Sequence, residues 1–408
     1  MRGLILLLVA AAVGTATPEH TVLTVPGAAS ATPSIAVAGR RVAIAWGARA
    51  PGGAADVYLA MSADGARTFG EPVRVNENPG TARLGGELPP RIAMRDNRVT
   101  VLWTARSDTT SIRVATSEDG GRTFGVSREL QRSGAEGDRG WPALAADLAG
   151  GVHAIWLDHR GLASPSSSPT GVHHGHDRTA AAHADGVAMA QKSALFYSDL
   201  SGERELTRGV CYCCKTALAA GRDGAIFAAW RHVYPGNIRD IAFTLSRDGG
   251  RTFAAPQRVS KDQWQLEGCP DDGPALAVDG RRTVHIVWPT VTASPEPHKA
   301  IFYATTTDGR AFTPRARVSP AGHNTAHAQV AVDDGGQVWV LWDEIVASRR
   351  RVFVAVRQGS GAFDAPRALS GEAASASYPV AAVADGTLVA AWVEGTPADS
   401  QIVVRRVR

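Results

Sequence analysis

The sequence has little of what several large protein classes require. Its 408 residues contain four cysteines, and 43 basic residues nearly balance 39 acidic ones. No basic run exceeds Arg349-Arg350-Arg351, so nucleic acid is a poor candidate for a partner. After the N-terminus no apolar run is long enough to cross a bilayer. Helical periodicity of apolar residues is nowhere sustained, which argues against an α-helical fold.

The sequence does contain a tryptophan that recurs in the same short apolar motif. The seven copies are Trp46, Trp103, Trp156, Trp230, Trp288, Trp342 and Trp392. They are spaced 50 to 74 residues apart, which indicates an array of similar supersecondary units. Each unit holds four short apolar runs bounded by Gly, Asp or Asn, as expected for a four-stranded antiparallel meander. Such units arranged radially predict an all-β fold, the β-propeller.

The last repeat offers only three strands, within residues 378–383, 388–393 and 401–407. We predict that residues 21–25 supply the fourth strand, so that the start of the chain pairs with its end. Closing the ring in this way protects the sheet edges that an open array would expose. Seven blades are therefore preferred, with six as the alternative.

A second motif lies between the third and fourth runs of a repeat. It reads Ser117-Glu-Asp119-Gly120-Gly121-Arg122-Thr123-Phe124, with full copies at 62–69 and 246–253 and a shortened copy at 307–312. The motif resembles the Asp-box, or BNR repeat, of the sialidase superfamily, and the resemblance covers nearly the whole chain after the N-terminal segment. Hairpin geometry explains each residue of the motif, so it indicates a fold and a superfamily rather than a reaction.

The N-terminal segment has the pattern of a secretory signal. A short charged start, Met1-Arg2-Gly3, precedes an apolar stretch at 4–13 and then small residues up to Ala16. We expect residues 1–16 to be a signal peptide and residues 17–408 to form a single propeller domain. No cysteine lies near the cut, so a lipid anchor is not expected, and the protein should be secreted or periplasmic.

Export determines how the cysteines are interpreted. They are Cys211, Cys213, Cys214 and Cys269. An even number in an oxidising compartment favours two disulfides, for which three pairings exist. The alternative is a soft transition metal, copper or zinc, held by these thiols together with His323 and His327. A histidine-rich stretch at 173–176 is a weaker metal signal.

Chemically distinctive residues fall on one face of the predicted ring, opposite the Asp-box turns. The sialidase resemblance implies a tyrosine nucleophile there, which would be Tyr378, with Asp158 as the acid. It also implies arginines that clamp a substrate carboxylate, for which the candidates are Arg91, Arg139, Arg160 and Arg231. The glutamate that would activate Tyr378 is left open between Glu267 and Glu344.

Two functions follow from these observations. The leading hypothesis is sialidase-like hydrolysis or recognition of a glycan at the mouth of the central channel. The alternative is a non-catalytic binding or scaffold propeller, in which the cysteine and histidine loops hold a metal or are cross-linked by disulfides.

Overall fold

The computed structural model describes residues 20–106, 109–131, 137–162, 187–266, 270–292 and 298–407. Within these residues, 28 strands form seven four-stranded antiparallel sheets. Each sheet is one blade, and the all-β seven-bladed propeller predicted from the repeats is confirmed. A short helix occupies residues 187–192. No helix in the described part of the chain is long and apolar enough to cross a membrane.

The strands follow one another around the ring in chain order. Blade one consists of β2 (Ala29–Ala38), β3 (Arg41–Arg49), β4 (Ala55–Ser62) and β5 (Val73–Arg74). Blade two consists of β6 (Arg91–Arg95), β7 (Arg98–Arg106), β8 (Thr110–Ser117) and β9 (Arg128–Glu129). Blade three consists of β10 (Arg139–Ala146), β11 (Val152–Asp158), β12 (Ala194–Ser198) and β13 (Glu203–Arg208).

The remaining blades have the same order of strands. Blade four consists of β14 (Ala217–Ala220), β15 (Ile226–Arg231), β16 (Ile241–Ser246) and β17 (Gln257–Arg258). Blade five consists of β18 (Ala275–Val278), β19 (Val284–Val291), β20 (Lys299–Thr306) and β21 (Ala316–Arg317). Blade six consists of β22 (Thr325–Val332), β23 (Val338–Val346), β24 (Arg349–Arg357) and β25 (Arg367–Ala368). Blade seven consists of β26 (Ala376–Ala384), β27 (Thr387–Thr396), β28 (Asp399–Val407) and β1 (His20–Leu23).

The ring closes through the first strands and through the two ends of the chain. The first strand of every blade contacts the first strands of both neighbouring blades, so these strands surround the axis. Strand β1 pairs antiparallel with β28, with Thr21 opposite Val404. This confirms the predicted closure, although the strand covers His20–Leu23 rather than residues 21–25. The signal-peptide prediction falls on residues that the structure does not describe.

The repeat tryptophans lie in the second strands and fill the spaces between blades. All seven are at most 2% exposed. In several blades the indole packs on an aromatic ring of the third strand, as Trp156 does on Phe196 and Trp342 does on Phe353. Burial of seven large aromatic side chains is the main apolar contribution that the repeat makes to stability.

The Asp-containing turns join the third and fourth strands. In blade two, Asp119 accepts the backbone N–H of Thr123 at 3.0 Å and its hydroxyl at 2.6 Å. The hydroxyl oxygen of Ser117 accepts the N–H of Gly121 at 2.8 Å. The same contacts of the carboxylate recur at the turns of Asp64 and Asp248. These hydrogen bonds satisfy the turn internally, in agreement with the structural interpretation of the motif.

Candidate functional site

Three residues on axis-lining strands adopt the same unusual backbone conformation. Trp141, His327 and Tyr378 have φ angles of 52°, 55° and 54°. Each lies at a β-bulge in the first strand of its blade, where the pairing register shifts. A left-handed conformation is costly for a bulky residue and occurs mainly where the surroundings require it, often at functional sites. Two of the three, His327 and Tyr378, lie in adjacent blades and pack together with ring centroids 3.9 Å apart.

A buried carboxylate holds this pair in place. Asp343 on β23 is fully buried, and its Oδ2 lies 2.6 Å from Nδ1 of His327. The same oxygen accepts the backbone N–H of Tyr378 at 2.8 Å. Its other oxygen accepts a hydrogen bond from Arg350. Because a carboxylate accepts hydrogen bonds, this arrangement places the imidazole hydrogen on Nδ1 and leaves Nε2 for proton transfer.

The hydroxyl end of Tyr378 lies against the loop that leads into blade two. A Cβ atom at Gly86 would lie only 2.0 Å from Oη of Tyr378, so this position requires glycine. Burial raises the pKa of Tyr378, and the negative charges of Glu87, Asp271 and Asp343 raise it further. The tyrosine is therefore a neutral phenol at rest and needs a proton acceptor to react as a nucleophile.

Glu87 directly follows Gly86 and lines the same axial cavity as Tyr378. It is 3% exposed, and its Oε2 accepts the backbone N–H groups of Lys215 and Gly273, each at 2.9 Å. The ammonium of Lys215 lies 3.5 Å from Oε1. These contacts fix a carboxylate from blade two at the axis by groups from blades four and five. Oε1 makes the weaker contact and is the atom better placed to accept a proton.

Arg91 brings an incompletely paired cation to the same place. Its Nε donates to the carbonyl of Pro142 at 2.8 Å, and its buried Nη2 has no hydrogen-bond partner. Among the described residues it has no acidic partner within ion-pair distance. Burial lowers the pKa of Arg91 to about 10, whereas the charge of Glu87 opposes that change. An incompletely satisfied guanidinium at a cavity favours binding of an anion.

Two adjoining cavities open around these side chains. The smaller, of about 20 Å³, lies at the axis and is lined by Glu87, Arg91, Lys215, His327 and Tyr378, among others. The larger, of about 350 Å³, lies between blades one and seven and is lined by Thr32, Gly86 and Tyr378, among others. The larger volume is within the range of small-molecule binding pockets. Tyr378 lines both cavities, so a ligand in the larger one would contact it.

The structure places the other predicted catalytic residues elsewhere. Arg139 is 2% exposed, and its Nε lies 3.3 Å from Oδ2 of Asp158, which is fully buried. Asp158 also binds Arg160 and Nε1 of Trp156. Arg231 is 1% exposed and donates to backbone carbonyls, including that of Asp272 at 2.9 Å. None of Arg139, Asp158 and Arg231 lines either cavity.

The predicted metal-binding residues are brought together only in part. The Sγ atoms of Cys211, Cys213 and Cys214 lie within 4.8 Å of one another, and no histidine of the described chain joins this group. His323 instead lies with Nδ1 2.6 Å from Oε1 of Glu344, and His327 belongs to the pair described above. Cys213 is disulfide-bonded, whereas Cys211 and Cys214 are free thiols.

Several of the predicted positions fall on residues that are not described. These are Cys269, Glu267 and the histidine-rich stretch at 173–176. The two-disulfide arrangement and the metal site both remain predictions.

The sequence did not reveal the carboxylates that organise the axial residues. Asp343 directly follows the repeat tryptophan Trp342, and Glu87 directly follows Gly85-Gly86. A carboxylate at the end of a second strand and a glycine pair entering a first strand are the only local signals. Their partners lie in other blades, so the signals acquire meaning only in the folded ring.

Comparison with known proteins supports the fold. No family model and no curated protein matches the sequence. The chain is similar to a solved protein of unknown function from Dyadobacter fermentans, with 12% identity, a TM-score of 0.52 and coverage of 96% of this chain and 99% of that one. It is also similar to an ulvan lyase, a polysaccharide lyase solved with bound -[GlcA(1-4)Rha3S]-, with 10% identity, a TM-score of 0.55 and coverage of 93% of both chains.

A more distant likeness is to a Hadza microbial sialidase, with 13% identity, a TM-score of 0.47 and coverage of 86% of this chain and 73% of that one. The two similarities with TM-scores above 0.5 establish a shared fold and no more, because the identities are only 12% and 10%.

Proposed function

We propose that this protein is an exported, glycan-directed enzyme of the sialidase-like propeller type that acts on a carboxylate-bearing glycan at the axial mouth. The observation that carries the proposal is the packed pair of His327 and Tyr378. Both residues have left-handed backbones, both are held by Asp343, and Tyr378 borders an open cavity. Strained, mutually oriented acid–base groups beside a ligand-sized cavity are typical of a reaction centre.

The acidic substrate is proposed from the state of Arg91. Its Nη2 is buried without a partner at the edge of the axial cavity. A sugar carboxylate at this position would supply the missing acceptor through a charge-assisted hydrogen bond. The ulvan lyase of similar fold was solved with a glucuronate-containing ligand, which is consistent with an acidic glycan here. The larger cavity has room for the sugar ring itself.

Hydrolysis through a covalent intermediate is the leading reaction. Oη of Tyr378 would attack the anomeric carbon as its proton passes to Glu87. His327 would enter this step as an imidazolium, with hydrogen on both ring nitrogens, and would give the Nε2 proton to the departing glycosidic oxygen. Water would then release the sugar by the reverse proton transfers. A neutral phenol avoids the repulsion that a carboxylate nucleophile would experience from an acidic sugar.

Elimination is a second candidate, favoured by the contact between the imidazole and the phenol. If the substrate is a uronate, one of these groups would remove the proton at the carbon that bears the carboxylate while the other protonates the leaving oxygen. Arg91 would stabilise the negative charge that develops on the carboxylate during this step. The same residues thus serve either reaction, and the products distinguish the two.

The role of the other predicted residues changes in this proposal. Arg139 and Asp158 form an internal ion pair that braces blade three, and Arg231 braces the backbones of blades four and five. Arg91 is the arginine of the predicted clamp that we retain for substrate binding. Glu87 takes the place that Glu267 or Glu344 was expected to fill.

The test is an incubation of the purified mature protein with sialosides, uronate-containing polysaccharides and neutral glycans, followed by mass spectrometry of the products. Hydrolysis adds the mass of water across the broken bond. Elimination leaves an unsaturated uronate that absorbs ultraviolet light. A folded protein that cleaves none of these glycans and binds none on a broad array would overturn the proposal and favour the scaffold function.

A further inference from the structure

A buried arginine that has no carboxylate partner among the described residues lies beside the cysteine cluster. Arg239 is fully buried, and among the described residues it has no acidic group within ion-pair distance. Its Nε donates to the side-chain oxygen of Asn237 at 3.0 Å, and its Nη2 has no partner. Its Nη1 lies 3.3 Å from Sγ of Cys211. A buried guanidinium is costly unless an anion compensates its charge.

A second buried guanidinium increases this need for negative charge. Arg231 is 1% exposed, and its hydrogen bonds go to backbone carbonyls of residues 239, 272 and 289. It also lies over the ring of Trp264, 4.9 Å from the centroid. Neither contact neutralises the cation. Among the described residues, the ionisable group in direct contact with Arg239 is the thiol of Cys211.

The surroundings of Cys211 agree with a thiolate. The hydrogen bond from the thiol of Cys214 and the charges of Arg239 and Arg231 outweigh burial and lower the pKa of Cys211 to about 6. The pKa of Cys214 is raised by its own burial and by its neighbour Cys211. The other ionisable groups of the described chain that act on the pair are the phenol of Tyr212, whose pKa is raised, and the carboxylate of Glu87, whose charge raises the pKa of Cys214. Of the two sulfurs, Cys211 is the one that contacts a guanidinium and accepts a hydrogen bond from the other thiol, so it is the better candidate for the attacking sulfur.

The two free thiols lie close together. Cys211 and Cys214 have the C-x-x-C spacing, and their sulfurs lie 3.6 Å apart. We propose that Cys211 and Cys214 form a redox-active dithiol in which Cys211 is the attacking thiolate. The inference is independent of the glycan site, because it rests on the cysteines and the buried arginines alone.

The reaction is thiol–disulfide exchange with a disulfide RSSR, such as oxidised glutathione or an exchange protein of the export compartment. The Cys211 thiolate attacks one sulfur of RSSR, forms a mixed disulfide and releases RS⁻. Cys214 then attacks the sulfur of Cys211, its proton passing to the first released RS⁻ and a second RS⁻ leaving. The pair loses two electrons and becomes a disulfide, while RSSR gains them and becomes RSH and RS⁻.

The arginines also shift the equilibrium between dithiol and disulfide toward the dithiol. They stabilise the thiolate of the reduced form and lose that interaction when the disulfide closes. Stabilising the reduced form makes a disulfide easier to reduce and a stronger oxidant. Both sulfurs are at most 2% exposed, so exchange should be slow and must be followed to equilibrium.

The experiment equilibrates the mature protein in glutathione buffers of graded [GSH]²/[GSSG], quenches with acid, alkylates and maps Cys211 and Cys214 by peptide mass spectrometry. Both sites should lose alkylation together as the buffer becomes more oxidising. In Arg239→Gln the midpoint should move to a [GSH]²/[GSSG] ratio at least about tenfold higher, since the reduced form loses its cation. Arg239→Lys, which keeps the charge, should stay close to the wild type.

Three results would overturn the proposal. One is a pair that remains alkylatable in the most oxidising buffer while circular dichroism shows the native fold. Another is an Arg239→Gln midpoint equal to that of the wild type. The third is stoichiometric copper or zinc in the untreated protein that is released on alkylation, which would make the thiols a metal site.

A second variant covers the case in which Arg239→Gln does not fold. In Cys214→Ser the pair cannot close, and the pH dependence of Cys211 alkylation reports its ionisation directly. The midpoint should lie below the ordinary thiol value of 9.0. A midpoint at or above that value would show that the arginines do not stabilise a thiolate.

Discussion

Nδ1 of His327 lies 2.6 Å from Oδ2 of Asp343, and this contact orients the imidazole at the axis of the propeller. The same buried oxygen accepts the backbone N–H of Tyr378 from the next blade. One carboxylate therefore fixes the imidazole of His327 and the backbone of Tyr378, which come from different blades. The phenol ring is held by its contact with the imidazole, with ring centroids 3.9 Å apart.

Replacing His327 should affect kcat and KM differently. His327→Gln removes the proton-transfer group while keeping a polar side chain, so kcat should fall by about 10²–10⁴-fold with little change in KM. The matched control is His323→Gln, because His323 lies on the same face and its side chain is 43% exposed. Steady-state kinetics on a cleaved glycan provides the comparison. Equal losses in the two variants would refute a specific role for His327.

Gly86→Ala should lower activity, because a side chain at this position would collide with Tyr378. In Gly86→Ala the new Cβ would lie 2.0 Å from Oη, so the phenol must shift. A displacement of the nucleophile by about 1 Å is expected to reduce kcat by about 10²-fold. Gly202→Ala is the control, since nothing lies within 4 Å of its added Cβ. If Gly86→Ala retains the activity of the control, Oη does not take part in the reaction.

Arg91 should determine affinity for the carboxylate. Arg91→Lys keeps the charge but loses the planar guanidinium, so KM for an acidic glycan should rise by about tenfold, with a smaller change in kcat. Arg95→Lys on the same strand is the control, because Arg95 pairs with Asp96 at an exposed position. The assay should include a carboxyl-reduced form of the substrate. An equal effect of Arg91→Lys on both forms would mean that Arg91 does not bind the carboxylate.

The repeat tryptophans should differ in how much their indole nitrogens contribute to stability. Nε1 of Trp342 donates to Oε2 of Glu344 at 2.8 Å, whereas Nε1 of Trp46 is buried without a partner. Both changes to Phe remove similar volume, but Trp342→Phe also leaves a buried carboxylate oxygen unpaired. Trp342→Phe should therefore cost about 1–3 kcal/mol more than Trp46→Phe. Urea unfolding of the two variants measures the difference, and equal losses would contradict it.

The sequence was sufficient to predict the propeller because most blades carry their own copies of the same sequence motifs. Seven tryptophans and four turn motifs give separate indications of the same unit, so irregular blades do not obscure the count. Even the closure by β1 could be predicted, since the last repeat lacked a strand.

The axial site could be predicted only in part, because its contacts join blades that are distant in the sequence. Tyr378 was proposed from the sialidase resemblance and from its position at the start of a blade. The partnership of Glu87 with Lys215 spans 128 residues, and no local pattern encodes it. His327 resembled a metal ligand in the sequence, whereas the β-bulge directs its ring onto Tyr378.

The most direct test of the account is calorimetric titration of Tyr378→Phe, which should bind without turnover, with an acidic oligosaccharide and its carboxyl-reduced form. We predict saturable binding of one acidic ligand per chain and affinity about tenfold lower for the reduced form, because the reduced sugar has no anion for Arg91. Equal affinities, or no binding of any acidic glycan by the folded protein, would contradict the account.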